Sequence, residues 1–179
     1  IDSLMSLNSV EQKERRALSK AVARELRNQT KGSKWRASQG WLFREDNGWF
    51  IEVRPYIWVV ERRSTMELRF KPMHIDPVFW QIVLTEENNR QPLSFRLHGA
   101  WTVSTPEIRR VDVDEGRLSP AELASRFLEI ASSELELSRP DWTLERFLGR
   151  IQAFRATVNP KSYLPAVICS LVLLDRLDE

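Results

Sequence analysis

The sequence predicts an α+β fold with a helix at the amino end and an antiparallel β-sheet of four to six strands that carries a short inserted helix. A helical carboxyl-terminal half is predicted to pack on one face of this sheet. Three observations support this prediction. Residues 10–28 carry apolar side chains four apart, residues 41–103 contain short alternating runs separated by turn signals, and residues 119–177 return to helical spacing.

Length and composition are those of one folded domain. The chain has 179 residues, of which 42% are hydrophobic and 29% charged, which suits a protein with a buried core. We predict a single domain, residues 1–179, with the first helix and the sheet in 1–104 and the helical part in 105–179. The charge balance, 27 basic against 25 acidic residues, is too even to indicate a nucleic-acid partner by itself.

The first helix is predicted from Val10 to Asn28. Ser9 followed by Gln12 has the spacing of a capping box at its start. Apolar residues four apart, from Leu18 to Leu26, give the helix one buried face.

A hairpin is the strongest signal in the strand-rich part. Strands are predicted at Trp41 to Arg44 and at Trp49 to Arg54, around an Asp46-Asn47-Gly48 turn. Pro55 is expected to end or bend the second strand. A third strand is predicted at Tyr56 to Glu61.

Residues 66–71 have the clearest two-residue period in the chain. The period predicts that the sheet buries one set of side chains and exposes the other. The two sets are Met66, Leu68 and Phe70, predicted buried, and Glu67, Arg69 and Lys71, predicted exposed.

The next elements are a short helix and another strand. Asp76 is expected to cap a helix from Pro77 to Val83, because proline suits the first helical position. Alternating apolar residues at 93–97 predict a strand that continues to Val103 through a bulge at Gly99.

The carboxyl-terminal half follows a short extended piece at Arg110 to Val113. Ser119, Pro120 and Glu122 form a start signal for its first helix, because they supply a cap, a first-position proline and a capping-box glutamate. Asp141 is predicted to start the next helix.

The final helix is predicted from Ser162 to Leu177, after a break at Asn159-Pro160. It is apolar nearly all round, so we expect it to lie in the core or in a subunit contact. Its longest apolar run has 11 residues, from Leu164 to Leu174, fewer than the roughly 20 that a membrane span needs. Cys169, the one cysteine, is expected to be buried, which suits a reducing compartment and predicts a cytoplasmic protein. No signal peptide is expected, because Ile1 to Val10 lack a basic flank and a long apolar core.

Tryptophan is concentrated in the strand-rich part of the chain, which also carries eight of the 21 arginines. Six of the seven tryptophans fall between Trp35 and Trp101, and 21 of the 27 basic residues are arginine. These two residue types are the favoured anchors of protein interfaces. Trp35 and Trp142 are expected to be exposed, since polar residues surround both. The candidate protein-contact residues are Trp35, Arg36, Arg44, Phe50, Arg54, Arg69 and Trp142.

A second set of basic residues gathers on and after the first helix. A cluster of this kind neutralises phosphates without reading sequence. The alternative assigns these side chains to a solvated face paired with glutamates. The candidate nucleic-acid-binding residues are Arg15, Arg16, Lys20, Arg24, Arg27, Lys31 and Lys34.

Metal and cofactor chemistry has little support in the sequence. His74 and His98 are the only histidines, 24 positions apart, whereas zinc sites need three or four ligands at short spacing. No cofactor and no metal ligands are predicted.

One pair of carboxylates carries a nuclease alternative. Asp46 at the hairpin and Glu52-Val53-Arg54 on the next strand resemble the restriction-endonuclease-like nuclease core over roughly residues 10–100. That family carries an acidic residue near a hairpin and then Glu-x-Lys, which hold Mg²⁺ and activate water. Arg54 stands at the lysine position here, and arginine does not give up its proton.

Three functional hypotheses therefore arise from the sequence. The first is a non-catalytic bacterial protein-interaction module, either an accessory subunit of a larger assembly or an immunity-type protein, with a protein partner and no membrane contact. The second is a nucleic-acid-binding protein that uses the first helix and the sheet face. The third is a metal-dependent nuclease centred on Asp46 and Glu52.

Overall fold

The computed structural model describes residues 8–98, 101–157 and 163–175. Half of its residues are helical (52%) and a fifth are in strands (20%). The helices are α1 (Ser9–Gln29), α2 (Ile75–Ile82), α3 (Phe95–His98), α4 (Pro120–Ser138), α5 (Leu144–Thr157) and α6 (Leu164–Leu174). The strands are β1 (Arg36–Ser38), β2 (Trp41–Asp46), β3 (Trp49–Ile57), β4 (Ser64–Pro72) and β5 (Arg109–Val113).

These elements confirm the predicted α+β class: an amino-terminal helix, an antiparallel sheet of five strands, a short helix and a helical carboxyl-terminal half. The strand order in the sheet is β1-β2-β3-β4-β5, so each strand lies beside its neighbours in the sequence. Asn47 and Gly48 both have positive φ between β2 and β3, as the Asn-Gly hairpin signal predicts.

The chain divides into two compact units whose segments interleave along the sequence. Unit 1 contains Ile1–Phe43, Val53–Leu68 and Arg109–Glu136. Unit 2 contains Arg44–Glu52, Arg69–Ile108 and Leu137–Glu179. The assignment of the chain to one domain remains a prediction.

Each unit has its own buried apolar side chains. In unit 1 they include Val22 and Leu26 of α1, Leu68 of β4, and Leu123 and Phe127 of α4. In unit 2 a cluster joins α2, α5 and α6; it contains Ile75, Val103, Phe147, Leu148, Ile151, Ala166, Val167 and Cys169. The predicted helical stripes of the carboxyl-terminal half therefore do form cores.

The start signals of the helices were predicted with mixed success. Ser119 and Glu122 form the predicted capping box before α4, with Ser119 N–H donating to Glu122 Oε2 at 2.8 Å. The cap of α1 is Asn8, not Ser9: its Oδ1 accepts from the backbone N–H of Glu11 at 3.0 Å. Glu11, not Gln12, returns the bond to the Asn8 N–H, also at 3.0 Å.

Two further caps differ from prediction. His74, which makes no side-chain capping bond, precedes α2, because the Asp76 carboxylate is used in a buried ion pair instead. Before α5, Thr143 Oγ1 accepts from Arg146 N–H at 3.3 Å, and the helix starts at Leu144. Asp141 lies in a short 3₁₀ turn upstream of that cap.

The predicted strand pattern is wrong in two regions, residues 56–61 and residues 93–103. Strand β3 continues through Pro55 to Ile57, and no strand covers the rest of the predicted run to Glu61. Residues 95–98 are helical and Val103 is not in a strand. Phe95 N–H donates to Pro92 O at 2.9 Å, so a proline-initiated turn replaces the strand that the alternation predicts. Gly99, the predicted bulge, lies outside the described residues.

The charged side of β4 is also buried, against expectation. Met66, Leu68 and Phe70 are fully buried as predicted. Glu67 and Lys71, however, are 5% and 1% exposed. Each is paired, Glu67 with Arg110 directly opposite on β5 and Lys71 with Asp76, so neither needs water to satisfy its charge. Arg69 is half-buried.

Candidate functional sites

An apolar groove lies between α2 and α6 in unit 2, and we call it the α2–α6 groove. Its volume is about 240 Å³. The side chains that line it are those of Phe79, Ile82, Leu164, Pro165, Ile168 and Cys169. None of them is charged, so the groove favours an apolar group over an ion.

Aliphatic side chains at the rim of this groove are open to solvent. Ile82 on α2 is 52% exposed, and Leu164, Ile168 and Val172 on α6 are 43%, 41% and 36% exposed. Residues four apart lie on one side of a helix. The exposed aliphatic stripe of α6 is thus distinct from its buried side, which includes Val167.

The composition of α6 explains why it has two apolar sides. Its 11 residues include no charged side chain, and Pro165 stands in the first turn, where its missing N–H costs no helical bond. The sequence predicts a helix in the core or in a contact. The structure buries one side of α6 and leaves the other open. The predicted ends of this helix, at Ser162 and Leu177, lie outside the described residues, as does the predicted break at Asn159-Pro160.

Cys169 lines the groove but is not a reactive thiol. Its side chain is buried, as predicted. Burial, and secondarily the negative charge of Asp76, raise the pKa of the Cys169 thiol to about 11. At neutral pH the group is therefore protonated, and it contributes to the groove as a small hydrophobe.

A buried ion cluster lies close to this groove in unit 2. Asp76 Oδ1 accepts from Lys71 Nζ at 2.9 Å and from Val103 N–H at 2.8 Å. Asp76 Oδ2 accepts from the Arg96 guanidinium at 2.7 Å. Desolvation lowers the pKa of Lys71, although Asp76 opposes it. The cluster fixes α2, β4 and the segment around Val103 to one another, and its atoms are occupied by protein partners.

The candidate nucleic-acid-binding residues separate into two groups. Arg16, Lys20, Arg24, Arg27, Lys31 and Lys34 are exposed. Arg15 is 8% exposed and belongs to the core of unit 1. Its guanidinium donates to Trp58 O at 2.9 Å, to Arg63 O at 2.7 Å and to the Glu115 carboxylate.

The Glu115 carboxylate accepts hydrogen bonds from the Arg15 guanidinium. Burial alone would raise the pKa of Glu115, but hydrogen bonds from Arg15 and Ser64 outweigh burial and hold the pKa below its ordinary value. The mixed-charge groove around them, about 980 Å³, also contains the Arg62–Glu11 ion pair. Five acidic and three basic side chains line this groove, so it carries a net negative charge and disfavours a phosphate.

The aromatic residues of the candidate protein-contact set are less exposed to solvent than predicted. Trp35, expected on the surface, is 6% exposed, and its ring N–H donates to Ser132 Oγ at 3.3 Å. Phe50 is fully buried. Trp142 is half-buried, its ring centroid 6.3 Å from that of Trp49.

The arginines of that set are mostly engaged within the chain. Arg44 donates to Asp46 Oδ2 at 2.8 Å, Arg69 donates to Thr105 O at 2.7 Å, and the Arg54 guanidinium lies 4.0 Å from the Trp41 ring centroid. Arg36 is exposed. The set does not form one open Arg/Trp surface, because its aromatic members fill cores and three of its arginines stabilise the fold.

The two nuclease carboxylates are in no position to hold a metal ion. Asp46 Oδ2 accepts from Arg44 at 2.8 Å and from Arg139 at 2.9 Å. Glu52 is 3% exposed. Within the described ranges, no three His, Cys, Asp or Glu side chains lie together in a way that could bind a metal. Asp46 thus anchors two guanidinium groups, and the residues do not fit a Mg²⁺ site.

Sequence reasoning missed the groove-lining residues because none of them carries a recognisable chemical motif. The spacing of Leu164, Ile168 and Val172 was a usable signal, since apolar residues four apart mark one side of a helix. The contribution of Phe79 and Ile82 could not be inferred, because it depends on how α2 packs against α6.

Across residues 8–98, 101–157 and 163–175, no helix combines the length and the apolar character that crossing a membrane requires. Comparison with protein-family models, with curated proteins and with solved structures gave no match to this chain.

Proposed function

We propose that this protein is a non-catalytic protein-interaction module that binds its partner through the α2–α6 groove. The observation that carries the proposal is that Ile82, Leu164 and Ile168 line an uncharged groove and are exposed to solvent. Val172, also exposed, extends the row along α6. Contiguous exposed apolar surface rimmed by polar residues is typical of protein contact sites.

The shape of the groove favours a helical partner segment. A groove between two packed helices accepts the apolar side of an amphipathic helix, whose anchors recur three or four residues apart. The walls carry no charge, so shape and apolar area would set affinity. The expected partner therefore presents a row of aliphatic or aromatic side chains.

A non-catalytic role agrees with the state of the reactive groups. The Cys169 thiol is buried with a pKa raised to about 11, and the Lys71 ammonium is enclosed by Asp76 and Val103. Such groups stabilise a fold and do not reach a substrate. Within this proposal, the chain acts in the bacterial cytoplasm as an accessory subunit or an immunity-type protein; the support for that compartment is the single cysteine, which is buried and reduced.

The test compares capture by three tagged proteins from a nuclease-treated lysate of the source organism: wild type, Ile168→Asp and Val60→Asp. Val60, 47% exposed in unit 1, provides a matched aliphatic-to-carboxylate control. One protein should be recovered in fixed ratio with wild type and with Val60→Asp. Ile168→Asp should reduce its recovery by at least about tenfold, because a charge then enters an apolar contact.

Equal capture by all three proteins, with thermal stability unchanged, would overturn the assignment of the groove. Sedimentation velocity of the purified proteins tests whether a second copy of the chain occupies the groove. A wild-type dimer that Ile168→Asp dissociates would assign the groove to a second copy of the chain instead of a different protein.

A further inference from the structure

Five basic residues project from one narrow side of α1, and we call them the basic ridge. At 3.6 residues per turn they fall within an arc of about 80°, and the ridge is about 21 Å long. All five are exposed. They are Lys13, Arg16, Lys20, Arg24 and Arg27.

The ridge is unbroken by acidic residues. Glu11, Glu14 and Glu25, the acidic residues of α1, lie outside the arc. None of the five basic side chains forms an ion pair with a carboxylate in the part of the chain that the structure describes. Since the buried side of α1 points the opposite way, the ridge presents an uninterrupted line of positive charge to solvent.

A groove of about 230 Å³ runs along one flank of this ridge, and we call it the aromatic groove. Its helix wall includes Ser19 and Ala23, each three positions after a ridge residue. Residues three apart are neighbours on a helix surface. The opposite wall includes the half-buried rings of Trp41 and Tyr56.

The turn between β1 and β2 explains how Trp41 reaches the helix. Gln39 and Gly40 both have positive φ, 52° and 85°, which suits a two-residue hairpin turn. A Cβ on Gly40 would lie 3.3 Å from the Ala23 Cβ, closer than an ordinary contact, and φ is positive there, so glycine suits this close approach to α1.

The rings of the groove already contact other flat groups. The Arg54 guanidinium lies 4.0 Å from the Trp41 ring centroid, and the Tyr56 ring lies 6.3 Å from that of Trp58, tilted by 37°. A base that enters the groove would find the Trp41 and Tyr56 rings in its walls. Aromatic stacking of this type tolerates any base, because every base has a π-face.

We propose that the basic ridge and the aromatic groove together bind single-stranded nucleic acid, with phosphates along the ridge and a base in the groove. The pairing of a cationic track with aromatic rings is the combination that single-strand-binding proteins use. A duplex fits less well, since its bases are stacked on one another and cannot enter the groove. This site lies entirely in unit 1 and is independent of the function proposed for the α2–α6 groove.

The ridge is tested by fluorescence anisotropy with a labelled oligo-dT of about a dozen nucleotides. With five phosphate contacts, affinity should fall about a hundredfold between 50 and 200 mM salt. The slope of log affinity against log salt concentration should become shallower by about 1.4 in the double variant Arg16→Gln/Lys20→Gln. The control, Arg90→Gln/Arg117→Gln, has the same charge change at exposed positions elsewhere and should leave this slope unchanged. No binding at low salt, or equal slopes for both double variants, would overturn the proposal.

The groove is tested with an abasic chain of the same length and charge, a probe that needs no protein variant. The abasic chain should bind about tenfold more weakly than oligo-dT. Tyr56→Ala should weaken oligo-dT binding by about the same factor and leave abasic binding unchanged, which also shows that the variant is folded. Equal binding of the two chains, or tighter binding of a duplex or of polyglutamate, would contradict a single-strand site.

Discussion

At the scale of single residues, ion pairs allow charged side chains to be buried in this protein. Lys71 and Glu67 are both buried on β4, each with an opposite charge within 2.9 Å. Strand periodicity assigned both to the surface, because it registers polarity and contains no information about a distant partner. The aromatic members of the predicted surface, Trp35 and Phe50, are buried because rings of that size fill a core efficiently.

Asp76 should be among the most sensitive positions of the chain. Asp76→Ala leaves Lys71 and Arg96 without their shared carboxylate in a buried site. Removing one partner of such a pair costs about 3–5 kcal/mol of unfolding free energy. Urea denaturation measures the loss, with Glu129→Ala as control, because Glu129 is 67% exposed in its ion pair and should cost less than about 1 kcal/mol. A loss at Asp76 no larger than at Glu129 would show that the cluster does not stabilise unit 2.

Glu115 should contribute to the loss of stability in acid. Its pKa is held below the ordinary 4.5, so below that pH the unfolded state binds more protons than the folded state. The stability that Glu115 provides is present above about pH 4.5 and is lost as pH falls through its folded-state pKa.

Glu115→Gln should therefore destabilise the protein at neutral pH and flatten its decline in acid. Urea midpoints measured from about pH 7 to about pH 3 test this. Glu129→Gln, at an exposed site, should reproduce the wild-type decline. If Glu115→Gln does so too, the Arg15–Glu115 pair is not a source of the acid sensitivity.

At the scale of elements, helix ends depend on which of several polar residues the backbone uses. Asn8 and Ser9 are both good caps, and Glu11 and Gln12 both suit the third helical position. The structure selects Asn8 and Glu11, one residue earlier than predicted. A propensity cannot separate two adjacent caps, because the choice depends on the exact backbone angle at which the chain enters the helix.

The two candidate caps of α1 can be separated by substitution. Asn8→Ala removes the acceptor for two backbone N–H groups and should cost about 1 kcal/mol. Ser9→Ala should be neutral within about 0.5 kcal/mol, because Ser9 is already inside the helix. The midpoint of urea unfolding distinguishes the two variants. A larger loss of stability in Ser9→Ala than in Asn8→Ala would show that Ser9 is the cap.

The segment at 93–97 illustrates why a short alternation is weak evidence. Leu93, Phe95 and Leu97 fit a strand by period, yet only Leu97 is buried and residues 95–98 are helical. A three-member pattern cannot be distinguished from a single helical turn. Longer patterns were reliable: α4 and α5 begin close to their predicted starts, and their apolar stripes are buried.

At the scale of the whole molecule, the sequence predicts the fold class and the order of most elements, because these follow from local periodicity and turn chemistry. It does not predict the candidate sites. The α2–α6 groove requires that Ile82 and Ile168, far apart in the chain, meet across two helices. The aromatic groove likewise requires Trp41 to approach Ala23 through a turn that glycine permits.

If a protein partner binds in the α2–α6 groove, a site-specific photo-crosslinker placed there should capture it. The crosslinker replaces Ile168 in one protein and Val60 in another, and each is irradiated in the native lysate. We expect that one protein becomes attached at position 168 and not at position 60, and that its crosslinked residues lie along one side of a helix. Equal labelling from both positions, or labelling from position 60 alone, would contradict it.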